Sequence, residues 1–279
     1  MSVLKIEDLA YTYKSKYQTV KALKGITYEF EAGKFYALIG RSGSGKTTLL
    51  SLLAALDIPT EGQVIFGDKT TAEIDRDLYH RDTVAVIYQS YNLLPLLSVM
   101  ENVTFPLELK KVPNAKKIAE EKLRAVGLDE TYFKRLPAML SGGEQQRVAI
   151  ARALASDAKI ILADEPTGNL DTENSEIVID LLQKLTHEEG YCVIVVTHDL
   201  SISDKADRVS PRQVAAVVDG RLVERLAFDV LLFVRAVLQP AHDGELHKVP
   251  AFFCFEKLCV PAHLSVYQPP GFGEFYHAA

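Results

Sequence analysis

The stretch Gly40-Arg-Ser-Gly-Ser-Gly-Lys46-Thr47 limits what this chain can fold into more than any other. It fits the pattern G-x-x-x-x-G-K-[ST], and both flanks suit it. The apolar run Phe35–Ile39 reads as a buried strand, and Thr47–Leu56 reads as a helix. Glycines in such a turn let backbone N–H groups converge on phosphate oxygens, and the helix start adds the positive end of its dipole. Gly40, Arg41, Ser42, Gly43, Ser44, Gly45, Lys46, Thr47 and Thr48 are therefore candidate phosphate contacts. Lys46 is expected to reach the β and γ phosphates and the Thr47 hydroxyl to bind Mg²⁺. Alone, this octapeptide means only "nucleotide phosphate".

The rest of the pattern alternates short apolar runs with helical periodicity, as α/β proteins do. Val84–Tyr88, Ile160–Ala163 and Val193–Val196 are nearly continuous apolar runs. Each is short enough to be a strand buried on both faces of a mainly parallel sheet. Leu4–Tyr13 and Ala22–Phe30 instead show the polar alternation of half-buried antiparallel strands. From Tyr91 to Arg152 the pattern is mostly helical. It includes Lys116–Val126, which stops at Gly127, and a break at Pro137.

Two further segments carry chemistry. Asp164 and Glu165 close the run Ile160–Ala163 and so fall at the carboxyl edge of the sheet, where ligands of open α/β sheets bind. Asp164 is placed to hold Mg²⁺, and Glu165 to orient or deprotonate an attacking water. Leu140-Ser-Gly-Gly-Glu-Gln-Gln146 opens a helix, with Ser141 and Glu144 forming a capping box. Its two glycines leave the backbone open, which makes a second anion site on a helix start.

The set as a whole resembles the nucleotide-binding domains of ABC transporters. The matching pieces, in order, are Gly40–Thr47, Gln89 after a strand, Leu-Ser-Gly-Gly-Glu-Gln at 140–145, Ile160–Glu165, Asn169-Leu170-Asp171 and His198. The resemblance covers about residues 3–209 and implies a P-loop NTPase. Its parts would be a mainly parallel sheet, an antiparallel N-terminal β-subdomain and an inserted helical signature subdomain at about 91–152. It implies an ATPase working as a head-to-tail pair, a homodimer, with two ATP molecules at the interface and an integral membrane permease as partner. By the same resemblance Ser141 and Gly143 meet the γ-phosphate across the interface, Gly142 between them belongs to the ATP-binding set, and His198 meets the γ-phosphate in cis. Gln89 meets metal and water, and Asp171 links the two sites. Tyr13, or Tyr11 two residues earlier, stacks on adenine.

Asp164-Glu-Pro-Thr-Gly-Asn-Leu-Asp171 and Tyr91-Asn-Leu-Leu-Pro further resemble the branch for lipoprotein release, macrolide export and cell division. In that branch 89–105 is the expected docking surface for the permease. Its apolar residues Tyr91, Leu93, Leu94, Leu96 and Leu97 read equally as core. Two other readings compete with the motor: a soluble ABC ATPase without transport, and a nucleotide-binding module without turnover.

Bulk properties narrow the setting. A balance of 31 basic and 37 acidic residues offers no general grip on nucleic acid, so none is expected as a partner. No apolar run approaches the roughly 20 residues of a membrane helix, and the N-terminus lacks a secretory core. The expected location is cytoplasmic, peripheral at the inner face of the membrane. A domain at 1–225 is expected, with Val214–Val218 and Arg221–Val223 as its closing hairpin. Residues 226–279 form an extension of different composition. Its His247, Cys254, Cys259 and His263 pose a zinc reading whose spacings fit no compact finger.

Overall fold

The computed structural model describes residues 2–156, 158–199, 202, 205 and 206, together with the backbone of 214–218 and 221–224. All belong to one unit, Met1–Leu232. His247, Cys254, Cys259 and His263 lie outside the described residues, as does the proposed boundary at 225.

Two sheets make the scaffold. β1 (Ser2–Lys14), β2 (Thr19–Glu31), β4 (Glu61–Phe66) and β5 (Lys69–Thr70) form an antiparallel sheet in the order β2-β1-β4-β5. The other sheet uses β3 (Phe35–Ile39), β6 (Val84–Ile87), β7 (Ile160–Asp164), β8 (Cys192–Thr197), β9 (Val214–Val218) and β10 (Arg221–Glu224). Its order is β10-β9-β3-β8-β7-β6, parallel from β9 to β6, with β10 antiparallel at the edge. The expected closing hairpin is thus present as β9 and β10.

The continuous apolar strands are explained by two cores, one on each face of the larger sheet. Side chains alternate along a strand. Phe35, Ala37 and Ile39 of β3, Ile161 and Ala163 of β7, and Val193 and Val195 of β8 point into one core. Tyr36 and Leu38, Ile160 and Leu162, and Cys192, Ile194 and Val196 point into the other. The first core is closed by α3 (Val99–Leu109), α4 (Ala115–Ala125), α5 (Gly142–Leu154) and α6 (Thr172–Glu189). The second is closed by α1 (Lys46–Leu53) and the antiparallel sheet, while α2 (Arg76–Asp82) contributes Tyr79. With both faces covered, no position in these strands needs a polar residue.

Two sequence boundaries shift. The helix after the glycine-rich turn ends at Leu53, not Leu56. Ala55 adopts φ 54°, and the Tyr79 hydroxyl donates to the Leu53 carbonyl at 3.0 Å, both closing the helix early. The apolar stretch at 91–97 divides: Leu93 packs on the core, whereas Leu96 is 88% exposed.

Candidate functional site

Four neighbouring strands deliver the site. In spatial order β3, β8, β7 and β6 end at the phosphate loop, at His198, at Asp164 and just before Gln89. Parallel strands align their carboxyl ends, so residues far apart in sequence meet along one edge. The resulting cleft has a volume of about 920 Å³. Its lining includes Tyr13, Arg41, Ser42, Gly43, Gly45, Lys46, Thr47, Thr48, Gln89, Asp164, Glu165 and His198.

The loop is shaped for phosphate. Gly45, at φ 98°, has no room for a side chain: a Cβ there would lie 2.8 Å from the Ala22 carbonyl oxygen. Ala22 is the extra residue of a bulge in β2, between the pairs Tyr11↔Leu23 and Thr12↔Lys21. Lys46 is 7% exposed and donates to the carbonyls of Gly40 at 2.7 Å and Arg41 at 3.1 Å. Among the described residues no carboxylate pairs with it. The Ser44 hydroxyl oxygen is buried with no hydrogen-bond partner. A buried ammonium held only by carbonyls and an orphaned hydroxyl both lack an anionic oxygen ligand, so the cradle fits a triphosphate.

The carboxylates stand opposite. The Thr47 hydroxyl is 3.5 Å from Asp164 Oδ1, a hard-oxygen pair suited to Mg²⁺. Burial raises the Asp164 pKa above the usual carboxylate value, the Thr47 hydroxyl opposes this, and the Glu165 charge adds to it. A bound cation would oppose both raising causes by favouring the ionised carboxylate. Glu165 holds φ 47°, a left-handed conformation that costs a glutamate energy and is fixed by its N–H bond to Val196 O at 2.8 Å. Its carboxylate accepts from the Thr197 hydroxyl at 3.2 Å and lies 3.0 Å from His198 Nδ1. Gln89 is exposed and donates to Asn169 Oδ1 at 3.4 Å, while Asn169 Nδ2 donates to the Gln89 carbonyl at 3.1 Å.

Ser141, Gly142, Gly143 and Asp171 do not line this cleft. They form a second cluster. Ser141 caps α5, with both halves of the expected capping box present. Asp171 caps α6 and receives Asn174 Nδ2 on both carboxylate oxygens at 3.0 Å. A Cβ on Gly143 would fall 2.1 Å from Asn174 Oδ1, so the two caps abut.

Some contributors are invisible to motif reading. Arg152 donates to the Asn92 carbonyl at 2.6 Å and the Tyr91 carbonyl at 3.0 Å, holding two residues at φ 61° and 49°. Asn102 is fully buried and bonds the backbone at Leu94, Leu97 and Ser98. Together they fasten the loop after Gln89 to the helical layer. Tyr13 is half exposed in the cleft, with its hydroxyl 3.1 Å from Thr48 Oγ1, whereas Tyr11 is behind it and outside the lining.

Residues 23–168 match the family described as ABC transporter. The chain belongs to that family. It is 41% identical over 209 residues to the ABC transporter ATP-binding protein YclH of Bacillus subtilis, covering 74% of this chain and 92% of YclH. It is also 41% identical over 213 residues to the lipoprotein-releasing system ATP-binding protein LolD of Idiomarina loihiensis, covering 75% and 93%. Among solved structures, the dimeric post-hydrolysis ATP-binding cassette MJ0796 with ADP and Pi superposes with a TM-score of 0.71. The identity there is 38%, over 78% of this chain and 96% of that one. This ABC chain is an ATP-binding and ATP-hydrolysing subunit of a transporter. Among its described residues no helix is long and apolar enough to cross a membrane.

Proposed function

We propose that two copies of this chain close head to tail on two ATP molecules and that this cycle drives a membrane permease from the cytoplasmic side. The carrying observation is that the cleft holds the phosphate loop, both carboxylates and His198 but none of Ser141–Gly143. A capped helix start suited to an anion, with Ser141 exposed on it, therefore lies outside its own chain's cleft and is placed to serve another's. Tyr13 stacks on adenine, and Lys46 with the N–H groups around Gly43–Thr48 holds the phosphates. Ser141 and Gly143 of the partner subunit complete the γ-phosphate shell. Asp171, tied through Asn174 to the back of Gly143, links one site to the other.

Thr47 and Asp164 would hold Mg²⁺ together with Gln89; when bound, the ion offsets phosphate charge. Glu165 takes the proton of the attacking water. Its carboxylate is pre-aimed by Thr197 and the His198 imidazole, and His198 contacts the γ-phosphate. Residues 1–225 make the ATPase domain and 226–279 an extension dispensable for hydrolysis. The likeness to LolD supports the branch that includes lipoprotein release, with 89–105 as the docking surface for the permease; exposed Leu94 and Leu96 suit that contact.

The test is the solution mass of Glu165→Gln with and without ATP. A dimer only with ATP is expected. A monomer under both conditions overturns the homodimer.

A further inference from the structure

Tyr13 stands on a strand near a hairpin turn and is 50% exposed, so a single ring there is free to swing. Two contacts restrain it. Its hydroxyl meets Thr48 Oγ1 at 3.1 Å, in the first turn of α1. Its ring meets Tyr11, with centroids 4.8 Å apart and planes at 76°, the edge-on arrangement favoured by aromatic quadrupoles.

Tyr11 is itself anchored. It is partly buried against the core beneath the antiparallel sheet, and its hydroxyl donates to the Asp57 carboxylate. That bond raises the Tyr11 pKa to about 12, with burial and the Asp57 charge adding to it, so the ring stays neutral at physiological pH. Asp57 follows α1 and is held by the Ile58 N–H at 2.8 Å. The pair of rings is therefore strapped to the phosphate-loop helix at both ends, by Thr48 at its start and Asp57 beyond its finish. The bulge at Ala22, opposite Tyr11 and Thr12, adds twist where the two rings must share a face.

We propose that Tyr11 is a positioning residue for nucleobase recognition: pinned by Asp57, it holds the Tyr13 ring at a fixed angle and distance from the phosphate cradle. It does not touch the nucleotide. Its effect is to reduce the freedom that Tyr13 loses when a base stacks on it. This rests on the reading that Tyr13 stacks on adenine.

The experiment compares binding of ATP and of inorganic tripolyphosphate, which lacks a base, to the full chain by calorimetry. The variants are Tyr11→Leu, Tyr13→Ala and the double substitution. Tyr11→Leu is expected to weaken ATP by roughly five-fold, the scale of one edge-on ring contact, and to leave tripolyphosphate unchanged. In the Tyr13→Ala background it is expected to have no further effect. Equal weakening of both ligands, or a loss of ATP binding that persists without Tyr13, would overturn the proposal. A Tyr13→Ala chain that keeps full discrimination overturns the stacking reading and the proposal with it. Loss in Tyr13→Ala with none in Tyr11→Leu overturns the proposal alone. If Tyr11→Leu does not fold, Asp57→Ala, which frees Tyr11 but keeps both rings, takes its place with the same expected outcomes.

Discussion

Burial is the main cause that holds the Asp164 carboxyl above the ordinary carboxylate range, and the Glu165 charge adds to it. The sign follows from linkage. A carboxyl whose pKa is raised on folding favours the native state fully at pH below its unfolded value, and that favour is lost as pH rises through the folded value. At neutral pH the ionised Asp164 therefore weighs against the nucleotide-free fold. Asp164→Asn is expected to abolish hydrolysis yet raise the melting temperature at pH 7 by roughly 2 °C, as site residues often trade stability for function. The gain should shrink towards zero below about pH 4, where the native carboxyl is neutral too. Calorimetric melts across pH check this, and a lower melting temperature at pH 7 would reject it. At this scale the meeting of Lys46, Asp164, Glu165 and His198 in one cleft was readable, because each lies at or beyond a strand whose end the pattern marks. The Tyr11–Asp57 bond was not, since its partners lie 46 residues apart and neither belongs to a motif. Nor was the φ of Glu165, which is imposed by β8.

Two helices in this chain start alike. Ser98 with Glu101 caps α3 and Ser141 with Glu144 caps α5, each a reciprocal capping box. Removing either hydroxyl costs about 1 kcal/mol, or roughly 2–4 °C in a domain of this size. Ser98→Ala and Ser141→Ala should therefore melt alike. Only Ser141→Ala is expected to slow ATP turnover as well, because of these two helices only α5 meets a phosphate in the proposed head-to-tail pair. Matched melts and steady-state rates separate the cap from the ligand contact; equal rates in the two variants would leave Ser141 a cap alone. Helices and strands were legible wherever periodicity was local. The finish of α1 was not: its last carbonyls are taken by α2, where Tyr79 bonds Leu53 O and His80 bonds Ala54 O at 2.6 Å. No pattern within 47–56 encodes partners 26 residues away.

For the whole molecule, the matched part accounts for nearly a complete relative: 74% of this chain covers 92% of YclH. A chain ending at Arg225 is expected to bind and hydrolyse ATP at the full-length rate. Loss of turnover in a truncation that still melts cooperatively would give the extension a part in the reaction. The parallel order of the larger sheet was inferable from runs buried on both faces. The strand order was not, since any order of such runs hides them equally well.

The crowding behind the signature glycines has a consequence for genetics. A Cβ on Gly142 would lie 2.8 Å from the Tyr91 hydroxyl, and one on Gly143 only 2.1 Å from Asn174. Both collisions occur inside a single chain, before any second copy or nucleotide arrives. The Tyr91 hydroxyl is the far end of a side chain and can give way, whereas Asn174 crowds the added carbon as far back as its own Cβ, at 2.9 Å. An inactive allele at the Gly143 codon is thus ambiguous, as readily a damaged monomer as a monomer unable to clasp its mate. Mixing experiments that score such alleles by poisoning of the wild type would count both kinds as harmless, since neither clasps a wild-type mate; a melting curve of the purified chain is what separates them.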